Sequence, residues 1–106
     1  ITFPFTADYD ITTLEFSNEF ETPAVSRGLV ESITEASGLA NSITNPKYVW
    51  THEDSGADAE VILLNKEKAQ VVARYKIKGA QNVDWEDMAI GSGPLAGVSY
   101  LYLADI

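Results

Sequence analysis

Two short stretches of this chain look alike and lead into the same kind of segment. Ser37-Gly38-Leu39-Ala40 and Glu86-Asp87-Met88-Ala89 each end in a bulky apolar residue and an alanine, and Ala40 and Ala89 lie 49 residues apart. Each stretch is followed by a turn or loop and then by an aromatic-rich run, Tyr48-Val49-Trp50 in one copy and Tyr100-Leu101-Tyr102 in the other, at a spacing of 52 residues. Both runs end in acids, at His52-Glu53-Asp54 and at Ala104-Asp105. A spacing near 50 residues constrains the fold strongly, because each repeat must be a unit that buries one face on its neighbour. Between the two copies lie two more strand-like runs, so one repeat holds four strands. Four antiparallel strands at roughly 40–50 residues is the pattern of a β-propeller blade.

The individual runs support an all-β reading. Tyr48-Val49-Trp50-Thr51-His52 is β-branched and aromatic, and Glu60–Leu64 is strongly apolar. In Ala69–Lys78 the residues alternate. Val71, Ala73, Tyr75 and Ile77 share one parity and are predicted to face the core, opposite Val72, Arg74, Lys76 and Lys78. Trp85–Ile90 and Val98–Ala104 read as two further strands. The links between them are turn chemistry: Thr44-Asn45-Pro46-Lys47, the polar Glu53–Asp58, the charged Asn65-Lys66-Glu67-Lys68, and the glycine-rich Gly91–Gly97. The first 34 residues are less regular. Ile1–Thr6 reads as an edge strand or extended arm because Pro4 cannot donate to a ladder. Thr12–Phe20 reads as a half-buried strand with Leu14, Phe16 and Phe20 inward, and Leu29–Ile33 as a strand rather than a helix, given Gly28 and the β-branched Val30, Ile33 and Thr34. The expected organisation is an N-terminal extended segment or strands over 1–34, a first blade over 35–80, and the start of a second over 81–106.

Composition narrows the function. The chain has 106 residues and is 45% hydrophobic, enough for one small core-forming domain. Seven Lys and Arg against sixteen Asp and Glu give a net charge of −9, which argues against binding phosphate backbones and no nucleic acid is expected as a partner. There is no cysteine, and the single histidine, His52, excludes two-histidine zinc patterns. No run approaches the ~18 apolar residues of a membrane span, and none reads as a signal peptide. Nucleophile-elbow, P-loop, zinc-protease and EF-hand patterns are missing.

Four ordered motifs resemble a family. Glu35-Ala36-Ser37-Gly38-Leu39-Ala40, Trp50-Thr51-His52-Glu53-Asp54-Ser55-Gly56, Asp84-Trp85-Glu86-Asp87-Met88-Ala89 and Tyr100-Leu101-Tyr102-Leu103-Ala104-Asp105-Ile106 are similar to the N-terminal part of uncharacterised bacterial secreted β-propellers. More loosely, they resemble six-bladed propellers of the gluconolactonase, SMP-30 and paraoxonase type. The resemblance implies a fragment of one and a half to two four-stranded antiparallel blades from a longer six-bladed propeller, with a secreted or periplasmic location. The family's fourth motif continues into Gly-Asp-Asn, which has no counterpart here. A blade and a half leaves open edges, so the expectation is a piece of a longer protein whose remaining blades, or other copies of the chain, cover those edges.

In such propellers a calcium ion often sits in the central channel, held by acids and amides at strand starts. On that resemblance Glu35 is a candidate ligand. Asp54, Glu86, Asp87 and Asp105 join it as carboxylates at strand ends, a chemistry suited to a hard cation such as Ca²⁺. In an extended strand Asp84 and Glu86 point to one side and Asp87 to the other. The simpler role for each is to cap turns by bonding nearby backbone N–H groups. His52 is the candidate general base, with structural hydrogen bonding as the plainer alternative. Tyr48, Trp50, Tyr100 and Tyr102 are expected to pack between sheets rather than to line a groove. Two functions follow: a binding or scaffold module for an unknown small molecule or protein, with an ordering ion, or a calcium-dependent hydrolase of lactonase or esterase type.

Overall fold

A computed structural model describes residues 11–13, 15, 17, 19, 28, 29 and 32–106. A 3₁₀ turn at Ile11–Thr13 precedes six strands: β1 Ala36–Asn41, β2 Tyr48–Glu53, β3 Glu60–Asn65, β4 Gln70–Lys76, β5 Trp85–Ser92 and β6 Ser99–Asp105. The chain is all-β, with no α-helix among the described residues. β1 to β4 form one antiparallel sheet in sequence order, and β5 and β6 form a second. Such a meander needs only short links. At the β3–β4 turn the Asn65 side chain accepts hydrogen bonds from the backbone N–H groups of Glu67 and Lys68, both at 3.0 Å.

The two-copy pattern in the sequence reappears in the strand register. In the first sheet Ala36 pairs with Glu53, Leu39 with Thr51, Ala40 with Trp50 and Asn41 with Val49. In the second, Trp85 pairs with Asp105, Met88 with Leu103, Ala89 with Tyr102 and Ile90 with Leu101. Moving 49 residues along from β1 and 52 along from β2 converts each first pair into the second. The register shift falls at the matching place, between Ala36 and Leu39 in one sheet and between Trp85 and Asp87 in the other. Even the closing bond repeats: Asp54 N–H donates to Glu35 O and Ile106 N–H to Asp84 O. The arrangement is consistent with a propeller fragment.

β1 packs on β5, so the sheets meet face to face. The seam buries Ala40, Val61 and Met88, with Trp50, Ile90, Leu101 and Leu103 around them. The opposite face of the first sheet buries Ile62 and Leu64, flanked by Val49 and Val71 and covered by Ile33. Arg74 pins that cover in place by donating to Glu60 and to both the carbonyl and the hydroxyl of Ser32.

The predicted alternation of β4 is broken. A register shift between Leu63 and Leu64 pairs Ala73 with Leu63 and Tyr75 with Val61, but Val71 with Leu64. Ala73 and Tyr75 therefore lie on the seam side, where Tyr75 meets Trp50 at a 5.7 Å ring separation, while Val71 joins the other face. A bulge resets side-chain parity within one strand. Tyr75 is half exposed because β4 is an edge strand, and Ile77, just beyond the end of β4, is also partly exposed. Leu29, Ser32 and Ile33 are not in a strand, although Ile33 is buried. Thr12 and Thr13 lie in the 3₁₀ turn; the rest of the expected Thr12–Phe20 strand lies largely, and the Ile1–Thr6 arm wholly, outside the described residues.

Candidate functional site

The chain following β2 and the chain leading into β5 meet at one end of the seam, and a buried amide joins them. Asn82 donates through Nδ2 to the carbonyls of Glu53 (3.0 Å) and Asp54 (2.8 Å), and its Oδ1 accepts from Trp85 N–H (3.1 Å). One side chain thus satisfies three backbone groups from two segments. Beside it the buried indole of Trp85 stands edge-on to the His52 ring, 5.8 Å between centroids and 88° between planes.

This bracket brings three carboxylates together. Oxygens of Asp54, Asp84 and Glu86 all lie within 4.8 Å of one another, Asp54 and Asp84 half-buried and Glu86 exposed. Asp54 approaches from the first sheet; Asp84 and Glu86 come from the start of the second. Backbone bonds fix each segment. Asp54 Oδ1 accepts from Ser55 N–H at 2.6 Å, Asp105 Oδ1 accepts from Asp84 N–H at 2.9 Å, and the Glu86 carbonyl accepts from the Ser37 hydroxyl at 2.9 Å. Glu86 also sits at the register shift of β5, opposite no partner, which frees its side chain to turn toward Asp84. Three clustered anions repel one another, and a hard divalent cation with oxygen ligands relieves that repulsion. The group can hold a metal ion, with its remaining coordination open to water.

The other sequence candidates have different surroundings. Asp87 pairs with Ala104 on the outward face of the second sheet, and its Oδ1 accepts from Met88 N–H at 2.8 Å. Asp105 bonds the approach to β5 rather than pointing at the group. The exposed Glu35 contributes its carbonyl to Asp54 N–H. By register the counterpart of Asp105 is Glu53, not Asp54. Asp84 belongs to the acidic stretch the sequence singles out but not to its candidate ligands, and Asn82 carries no role in the sequence at all. Their signal is faint: an Asn two residues before an Asp at a strand start, meaningful only once the β2 end is known to lie alongside.

His52 has no exposed surface. Its Nδ1 lies 2.9 Å from the Glu53 carbonyl, which requires the proton there, and its Nε2 has no hydrogen-bond partner. The Nε2 edge faces the backbone of Gly38. A Cβ at residue 38 would lie 2.4 Å from Nε2 and 2.8 Å from Met88 N, so glycine is required for the sheets to close at this point. Thr51 adds a hydroxyl bond to the Gly38 carbonyl at 2.7 Å.

No known protein family, no curated protein and no solved structure matches the chain.

Proposed function

We propose that this chain is a non-catalytic binding or scaffold module of propeller type, in which a calcium ion locks the end of one sheet to the start of the next. The observation that carries the reading is the meeting of Asp54, Asp84 and Glu86 across the seam, with the Asn82 bracket behind them. The ion would use three carboxylate oxygens, with water completing a shell of 6–8 oxygens. A site of so few protein ligands suits the millimolar calcium of an extracytoplasmic setting, which agrees with the secreted or periplasmic location the motif resemblance implies. The burial of His52 weighs against the hydrolase alternative, since a general base must come within hydrogen-bond reach of a substrate proton.

The test is thermal unfolding with chelator, with Ca²⁺ and with Mg²⁺. Ca²⁺ at about ten times its Kd is expected to stabilise by about 1.4 kcal/mol, a rise in Tm of roughly 5–10 °C for a domain of this size. Mg²⁺ is expected to do less, because it demands a tighter octahedral shell. The variant Asp84→Asn/Glu86→Gln is expected to lose the calcium response while melting no lower than the parent in chelator. An unchanged Tm in millimolar Ca²⁺, or an equal response in the double variant, removes calcium from this site. Lactone or ester turnover abolished by Glu86→Gln would favour the hydrolase instead.

A further inference from the structure

We draw no further inference here: the strongest candidate, the cavity of about 390 Å³ at the loop end of the seam, lined by Ile43, Trp50, Ile90, Val98 and Leu101, is an unpartnered apolar surface, and nothing in the structure shows what covers it.

Discussion

Leu39 and Met88 occupy the same place in two hairpins of identical register, but Leu39 is 65% exposed and Met88 is 5% exposed. Trp50 and Tyr102 form a second such pair, one set in the seam and the other half in solvent. Local sequence sets the pairing, through strand-forming runs and a register shift in a fixed position. The neighbours set the burial. The first sheet has cover on both faces, Ile33 on one and the second sheet on the other; among the described residues the second sheet has cover only on the face turned to the seam. The same local design is thus a core on one side of the seam and an accessible surface on the other.

Substitutions at equivalent positions separate local design from burial. Met88→Ala is expected to cost about 2–4 kcal/mol, the range for truncating a buried side chain, while Leu39→Ala changes stability by no more than about 0.5 kcal/mol. Urea unfolding of the two variants measures both, and equal costs would mean that the seam is not on the Met88 side. Positions 33 and 82 carry a different contrast at the same 49-residue spacing: Ile33 is buried among side chains, and Asn82 is buried on hydrogen bonds. Asn82→Ala is expected to cost about 2–3 kcal/mol by leaving backbone groups of Glu53, Asp54 and Trp85 without a partner. It is also expected to abolish the calcium response with every carboxylate still present, which calorimetric titration with Ca²⁺ reads directly. The smallest contrast sets Gly38 against its equivalent Asp87. Gly38→Ala places a methyl against His52 and Met88 N and is expected to cost about 1–3 kcal/mol. Asp87→Ala, on the open face, is expected to cost about 0.5 kcal/mol or less, and paired thermal melts compare the two.

Much of the strand layout was legible in the sequence. Glu60–Leu64 is too apolar and short to be anything but a strand, and the Tyr48 and Tyr100 runs mark each other as a pair. β1 was legible mainly through its resemblance to β5, because Ala36–Asn41 is built of small residues with weak strand preference. The parity of β4 was not legible, since the shift at Leu63/Leu64 is a property of two strands together and leaves no mark on either alone. The carboxylate group was half legible. Asp54 and Glu86 stood out as acids at strand ends, but their meeting with Asp84 depends on a buried amide that spans 28 residues to Asp54. Long-range polar contacts of that kind have no periodicity to betray them.

The second sheet lies on the Ala40 face of the first, in the register of a repeated unit. Methyl nuclear Overhauser contacts from Met88 report this placement. Contacts are expected from the Met88 methyl to Ala40 Cβ and to the Val61 methyls, with none to Ile62 or Leu64. Contacts to Ile62 or Leu64 without any to Ala40 would instead put the second sheet on the other face of the first.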